Sequence, residues 1–225
     1  MTAPLVSVIM PVYNAEPFVA HALESVLAQD YEPVEVLAVN DGSTDRSGEI
    51  ARSYPGIRYF EHENRGASPS RNFALSQAAG EFVAFVDADD WVPPQKLSVQ
   101  VGYLLEHLHV AATLGRQEWI TPPPDAARDK VWGDLDGIPL LSMVIRRSVL
   151  VEMGGFQHEV GGDMDLMIRM RAAGHEFTVL PQLVLRRRYH GGNLFAGQGL
   201  APLPLEALKA KLDRERAARA GGEGR

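Results

Sequence analysis

Cysteine is absent from the sequence, which excludes a disulfide framework, a thiolate metal site and a cysteine nucleophile. Any bound metal must therefore use oxygen or imidazole ligands. The sequence also lacks a run of the ~18 apolar residues that a membrane span needs. No Lys or Arg precedes Arg46, so the apolar stretch near the N-terminus lacks the positive region of a secretory signal. These absences predict a cytoplasmic protein.

Positive charge is scarce as well, because 22 Lys and Arg residues stand against 29 Asp and Glu residues. The first 45 residues hold seven acidic residues and no Lys or Arg, so that segment carries the whole formal net charge of −7. No broad basic surface is available, which argues against nucleic-acid binding. With 225 residues, 45% of them hydrophobic, the composition is that of one large globular domain or two small ones.

Apolar segments alternate with helical patterns along the first 95 residues. Apolar runs at 5–12, 34–39, 57–60 and 82–86 predict strands that are buried on both faces, and residues 16–29, 44–53 and 69–79 have helical spacing. This alternation predicts an α/β fold, with a parallel sheet covered by helices on both sides and built from right-handed crossovers. Ser68 before Pro69 predicts the N-cap of the third helix, and Gly80 predicts its end.

The alternation fails in the second half of the chain. We predict a helix from Pro94 to about His107, a loop over 121–137, a strand over 142–145 and a helix over 166–173 that Gly174 closes. A broken extended stretch over 179–187, a Gly-rich segment over 191–199 and a charged helix over 203–220 complete the prediction.

Polar residues follow the predicted strands at the edge of the sheet where ligands bind in open parallel sheets. They are Tyr13-Asn14 after the first strand, residues 40–43 after the second, a loop leading to Arg71 after the third, and Asp87–Asp90 after the fourth. In an extended segment Asp87 and Asp89 project to the same side, as two oxygen ligands for a hard divalent cation. Simpler interpretations stay open: a helix cap for the Asp cluster, an ion pair for Arg71 and a core-edge aromatic for Tyr13.

Four motifs in fixed order carry a resemblance to a known family. They are VSVIMPVYNAEPFVAHALESVLAQ, VNDGSTDRS, NRGASPSRNFAL and GEFVAFVDADD, and with them the chain resembles the inverting family 2 glycosyltransferases. The resemblance is dense over residues 4–95 and thinner over 137–195. It implies a GT-A fold: a Rossmann-like, mostly parallel sheet flanked by helices, in a single compact domain with a smaller acceptor-side half. Residues 1–95 would be the nucleotide-sugar-binding half, 96–202 the acceptor-side and catalytic-base half, and 203–225 a C-terminal helix and tail.

The resemblance also implies a role for individual residues. Asp163 would be the general base, although the family's Glu-Asp pair appears here as Gly162-Asp163. The cofactor would be a divalent cation, Mn or Mg, held by Asp89 and His190. The donor would be a nucleoside-diphosphate sugar, with a UDP-sugar favoured, and the acceptor an unidentified hydroxyl. The residues implied in nucleotide binding are Pro11, Tyr13, Asp41, Arg71 and Asp87.

The implied reaction is a metal-dependent single displacement, in which the acceptor oxygen attacks the anomeric carbon opposite the departing nucleoside diphosphate. Two alternatives remain. A sugar nucleotidyltransferase needs a Gly-rich, Arg-containing loop after the first strand, and residues 11–15 have none. A nucleotide-sugar binding module without catalysis is suggested by Gly162.

The C-terminal tail places Leu205, Leu208 and Leu212 at helical spacing among basic residues. One interpretation is a packed helix with a solvated face. The other is an amphipathic surface that docks on another subunit or on the inner face of a membrane.

Overall fold

The computed structural model describes residues 2–121, 140–158, 162–188 and 190. The chain forms two compact units, residues 1–120 with 135–188 and residues 121–134 with 189–225. The first unit contains nearly all of the described residues, and the description below concerns it alone. No helix within the described ranges is long and apolar enough to cross a membrane. Nearly all of the predicted loop over 121–137, and the whole of the two predicted C-terminal segments, lie outside the described residues.

Strands and helices alternate through the first half as predicted. The elements there are β1 (Val6–Val12), α1 (Val19–Leu27), β2 (Val34–Asp41), α2 (Ser47–Ser53), β3 (Ile57–His62), α3 (Ala67–Gln77) and β4 (Phe82–Phe85). The second half contributes α4 (Lys96–Glu106), β5 (Val110–Thr121), a 3₁₀ turn (Leu140–Ser142), β6 (Val144–Arg146), α5 (Arg147–Glu152), α6 (Gly162–Ala172) and β7 (Glu176–Arg188).

The strands form one seven-stranded sheet in the order β3-β2-β1-β4-β6-β5-β7. β1 is parallel to β2 and β4, and β2 is parallel to β3, which confirms the predicted parallel core. β6 is antiparallel to both β4 and β5. β1 and β4 are buried on both faces, so their apolar runs have no polar side. The sheet is therefore parallel where the sequence alternates and antiparallel where the alternation fails.

The helices cover both faces of this sheet. The connection from β1 to β2 runs in one direction across the sheet, and the connection from β3 to β4 returns over β2 and β1. Because such crossovers are right-handed, α1 and α2 lie on one face and α3 lies on the other. Accordingly α1 contacts α2, while α3 packs on β1 and β2. The carboxyl ends of β1, β2 and β4 are left uncovered at one edge.

The predicted ends of α3 are wrong by about two residues. The helix begins at Ala67 rather than after Ser68, with Gly66 as its N-cap at φ 94°, and it ends at Gln77 rather than at Gly80. The early start has a physical cause, because the backbone N–H groups of Arg65 and Gly66 both donate to the carboxylate of Asp41. The Asp41 carboxylate therefore fixes the loop that leads into α3, and the helix begins two residues before the start that Ser68 and Pro69 predict.

The second half departs further from the prediction. β5 was not predicted as a strand, the predicted strand over 142–145 is a 3₁₀ turn followed by β6, and α6 starts at Gly162 rather than at Leu166. The stretch predicted as broken is the continuous strand β7. β7 tolerates Pro181 because it is the last strand of the sheet, where a missing N–H donor costs no ladder bond.

Candidate active site at the carboxyl ends of the strands

Three carboxylates meet directly after β4. Asp87, Asp89 and Asp90 place their oxygens within 4.8 Å of one another, and the Asp90 N–H donates to the Asp87 carbonyl at 3.1 Å. The helix-cap interpretation is wrong, because the next helix, α4, begins only at Lys96. Carboxylates this close repel each other unless a proton or a cation lies among them. The oxygen donors present fit a hard divalent cation.

Arg71 stands beside this cluster. Its Nη2 donates to Asp87 Oδ1 at 2.8 Å, and its guanidinium lies 5.8 Å from the centre of the Phe156 ring. The buried Nε of Arg71 has no hydrogen-bond partner within the described part of the chain. The structure therefore brings together two residues that the sequence analysis assigned to nucleotide binding, and it leaves one arginine donor unused.

Asp90 ties the cluster to the end of β7. Its Oδ1 accepts the Arg188 N–H at 3.1 Å, and its Oδ2 lies 3.5 Å from Arg187 Nε, too far for a hydrogen bond. Burial raises the pKa of Asp90 to about 7, and the charges of Asp89 and Asp87 add to this rise while Arg187 opposes it. The contact between Asp90 and β7 was not predicted from the sequence. The one feature that could have indicated it is the run of three arginines at residues 186–188.

The carboxyl end of β2 holds Asp41, which is 3% exposed. Its Oδ1 accepts the Arg65 N–H at 2.8 Å and its Oδ2 accepts the Gly66 N–H at 2.9 Å. Gly42 follows at φ 71°, and a Cβ there would lie 2.7 Å from the backbone nitrogen of Asn64, so only glycine fits. Backbone packing between two loops thus fixes Asp41 in place.

Pro11 and Tyr13 lie at the carboxyl end of β1, next to β2 in the sheet. Tyr13 is 50% exposed, so its ring faces the open edge rather than the core. Asn14 joins the two strand ends, since its N–H donates to Ser43 Oγ at 3.1 Å and its Oδ1 accepts the Thr44 N–H at 2.8 Å. The predicted base-binding residues are therefore neighbours along one edge of the sheet.

Asp163 lies in the first turn of α6 and accepts the Met164 N–H at 3.0 Å. A Cβ on Gly162 would lie 2.8 Å from Ser68 Oγ, so α6 begins in close contact with the first turn of α3. Phe156 lies 3.8 Å from the same point and also beneath Arg71. The start of α6 therefore lies on the α3 side of the sheet, close to the pair formed by Arg71 and Asp87.

Asp165, two residues further on, has a structural partner. Arg169 Nε donates to Asp165 Oδ2 at 2.8 Å, and the same guanidinium donates to the carbonyls of Met153 and Gly155 at 2.6 and 2.7 Å. This network fastens α6 to the turn before it. Asp163 is therefore the stronger candidate base of the two.

His190 belongs to the second compact unit, so its role as a metal ligand stays a prediction. The three arginines before it point alternately to the two sides of β7, as a strand requires. Arg186 pairs with Glu118, Arg187 with Asp90, and Arg188 Nη2 approaches His21 Nδ1 at 3.4 Å.

Comparisons with known proteins agree with this geometry. A family model described as "Glycosyl transferase family 2" matches residues 7–154. Glycosyltransferase GlyA of Streptococcus pneumoniae serotype 4 is 45% identical over 91 residues, which are 39% of this chain and 13% of that protein. The matched regions span from 13% to 50% of the lengths of the first curated relatives.

Solved structures show the same fold. TarS residues 1–349 of S. aureus, in complex with UDP-GlcNAc, superposes with a TM-score of 0.70 and 25% identity, covering 85% of this chain and 60% of that one. A mannosyltransferase from Pyrobaculum calidifontis, in complex with GDP-Man and Mn²⁺, superposes with a TM-score of 0.66 and 24% identity, covering 87% and 59%. The predicted GT-A fold is confirmed.

Proposed function

Because this chain belongs to glycosyl transferase family 2, we propose that it transfers a sugar from a nucleoside-diphosphate sugar to an acceptor hydroxyl, with inversion at the anomeric carbon. The observation that carries the proposal is the carboxylate cluster of Asp87, Asp89 and Asp90 beside Arg71. The similarity to TarS in complex with UDP-GlcNAc supports a UDP-sugar as donor.

The donor nucleotide binds along the carboxyl ends of β1, β2 and β4 in this proposal. The exposed ring of Tyr13 stacks on or flanks the base, with Pro11 and Asp41 forming the wall beside it. Arg71, which Asp87 holds beside the carboxylate cluster, donates to the diphosphate. Asp87 holds this guanidinium in place and faces the ribose.

Asp89 would hold a divalent cation, Mn or Mg, with Asp87 nearby. When bound, such a cation neutralises the charge that grows on the leaving diphosphate. Asp90 connects the cluster to β7, because its carboxylate accepts a hydrogen bond from the N–H of Arg188. The protein's own contribution is therefore a fixed set of oxygens at the end of a rigid strand.

Asp163 takes the proton from the acceptor hydroxyl as the general base. Asp163 lies in the first turn of α6, and a carboxylate within hydrogen-bond reach of the acceptor hydroxyl can take its proton. The acceptor oxygen then forms the new bond to the anomeric carbon while the bond to the diphosphate breaks on the opposite side. A single displacement of this kind inverts the configuration.

A nucleotide-sugar binding module without catalysis is the second candidate, and Gly162 favours it. A larger residue there would need Ser68 to move, since a Cβ would lie 2.8 Å from Ser68 Oγ. The glycine therefore has a packing reason, which weakens the case for lost catalysis. No observation in the structure favours a sugar nucleotidyltransferase.

A thermal-shift panel of UDP, GDP, ADP and CDP, each with and without Mn²⁺, tests the proposal. A ligand that binds the native state raises its melting temperature, and we expect the largest rise for UDP together with Mn²⁺. Slow Mn²⁺-dependent release of UDP from a UDP-sugar then separates the enzyme from the binding module. Asp163→Asn should keep the thermal shift and lose the transfer. A panel without any shift would contradict the proposal.

A further inference from the structure

A groove of about 300 Å³ opens one residue away from the carboxylate cluster. Its walls come from α1, β5, β7 and the residue that follows Asp90, and we call it the Trp91 groove. Its volume lies at the lower end of the range for small-molecule sites. The lining residues are His21, Trp91, Glu118, Ile120 and Arg186.

Strand alternation decides which side chains face the groove. Glu118 and Ile120 line it from one side of β5, whereas Trp119 between them lies against Arg187, with the guanidinium 5.2 Å from its ring centre. On β7, Arg186 faces the groove. The backbones of Trp91 and Arg186 exchange two hydrogen bonds of 3.0 and 2.8 Å, so the floor of the groove is fixed to the sheet.

The groove combines an aromatic face with charged hydrogen-bonding groups. The Arg186 guanidinium lies 4.6 Å from the centre of the Trp91 ring and pairs with the Glu118 carboxylate. The His21 ring lies 6.0 Å from Trp91 at an interplanar angle of 23°. Arg188 Nη2 approaches the Nδ1 of this ring at 3.4 Å.

These groups match the surface of a sugar ring better than that of an apolar ligand. A pyranose has C–H groups on its faces, which pack against an aromatic ring, and hydroxyls around its edge. Planar groups such as those of Arg186 and Glu118 donate to or accept from neighbouring hydroxyls in pairs. Hydroxyls can add hydrogen bonds to the remaining polar atoms of the Arg186–Glu118 pair, which an apolar ligand cannot do.

The position of the groove indicates which sugar it would hold. In the sheet order, β4 lies between the nucleotide side, formed by β2 and β1, and the side formed by β6, β5 and β7. The carboxylate cluster after β4 is thus bordered by the predicted base-binding residues on one side and by the Trp91 groove on the other. A ligand in the groove approaches the donor from the side away from the nucleotide.

We propose that the Trp91 groove is an acceptor subsite that binds a sugar ring by packing on Trp91 and hydrogen bonding to Glu118 and Arg186. The inference rests on the proposed transfer reaction and adds that the acceptor is itself a carbohydrate. In this proposal the Trp91 ring contacts the acceptor directly.

Saturation-transfer NMR with methyl glycosides of glucose, galactose, mannose and N-acetylglucosamine tests this inference on the full chain loaded with UDP and Mn²⁺. At least one glycoside should bind. Trp91→Ala should weaken that binding about tenfold, as expected for loss of an aromatic packing partner, while Trp91→Phe should keep most of it. Glu118→Gln should weaken it without changing the melting temperature.

Trp119→Phe is the matched control, because Trp119 lies on the other side of β5 and should leave glycoside binding unchanged. Calorimetric titration with UDP and Mn²⁺ should give the same affinity in every variant. Normal UDP binding without glycoside binding, or glycoside binding that is insensitive to Trp91 and Glu118, would overturn the subsite and leave the proposed function standing. Failure to bind UDP at all would instead contradict the proposed function.

Discussion

Two buried carboxylates at the ends of two parallel strands have opposite surroundings. Asp41, after β2, is 3% exposed, and each of its oxygens accepts a backbone N–H. Asp90, after β4, is 4% exposed, yet its Oδ2 has no hydrogen-bond donor within the described residues. Burying a charge is costly unless the charge is paired and hydrogen-bonded. The β2 end is therefore satisfied by backbone donors, whereas the β4 end sets three carboxylates against the guanidinium groups of Arg71 and Arg187 and keeps an excess of negative charge that a bound cation would compensate.

Replacing a metal ligand at the β4 end should have the largest effect on activity. We expect Asp89→Asn to reduce sugar transfer by about 10³-fold, since charge stabilisation of a leaving group is worth this much. The melting temperature of the metal-free protein should not fall, because a neutral amide removes repulsion from Asp87 and Asp90. Transfer rates and thermal midpoints of the two proteins check this. Retained transfer would remove Asp89 from the metal site.

Lys96, in α4, is another buried ionisable group, and it tests what the burial of a charge costs in stability. Its Nζ donates to Gln100 Oε1 and to the Leu141 carbonyl, with no acidic partner among the described residues, and burial lowers its pKa to about 7. Between about pH 7 and the ordinary lysine pKa the unfolded chain binds more protons, so the stability of the folded state rises with pH. From pH 7 to 9 the rise should be about 2 kcal/mol relative to Lys96→Met.

Denaturant unfolding of both proteins across this pH range measures the difference. The sign follows from the lowered pKa, since the full penalty of a buried ammonium is present below about pH 7 and fades above it. If the free energies of unfolding of Lys96→Met and of the unmodified protein change in parallel with pH, the pKa of Lys96 is not lowered in the folded state and the prediction is wrong.

The contrast between the two strand ends should also appear in stability. Asp41→Asn replaces an acceptor by a donor facing a backbone N–H, which should cost about 2 kcal/mol of the free energy of unfolding. Asp90→Asn keeps an acceptor for the Arg188 N–H and removes both a buried charge and its pairing with Arg187 at 3.5 Å, so we expect a smaller loss than for Asp41→Asn in the metal-free protein at pH 8. Equal losses in urea unfolding of the two variants would erase the contrast. Glu49→Gln, in an exposed pair with Arg46, serves as the neutral control.

The smallest effect should come from the contact between α6 and α3. In Gly162→Ala the new Cβ needs the Ser68 hydroxyl to rotate away, and we expect a loss of about 0.5 to 1 kcal/mol. In a Ser68→Ala background the same change should be neutral or stabilising. A double-mutant cycle measures the difference, and identical effects in both backgrounds would show that the contact carries no energy.

The sequence predicts the carboxylate cluster at the end of β4 well, but it does not predict the residues of β7 that contact this cluster. The strand order through β4 follows from apolar runs that alternate with helices, and the cluster of Asp87, Asp89 and Asp90 is local in sequence. The contact between Asp90 and Arg188 joins residues 98 positions apart, and no periodicity signals such a pair. β5 begins with the buried run VAATL but continues into polar and charged residues, and β7 carries exposed and charged positions along its length, so neither has the flanking turn signals and helices that identified the central strands.

The starts of helices were harder to predict than the strands for a related reason. α3 begins early because Asp41 holds the preceding loop, and that contact bridges 24 residues. Local capping signals at Ser68 and Pro69 therefore pointed to a helix start that tertiary contacts override. The same holds for Glu118 and Arg186, which line one groove because β5 and β7, two strands far apart in sequence, bring them together.

Calorimetric titration of UDP into the protein, with and without Mn²⁺, tests most directly whether the β4 end is completed by a cation. The account predicts tight binding that depends on Mn²⁺ in the unmodified protein and that loses this dependence in Asp89→Asn. Equal UDP affinity with and without Mn²⁺ in the unmodified protein would contradict it.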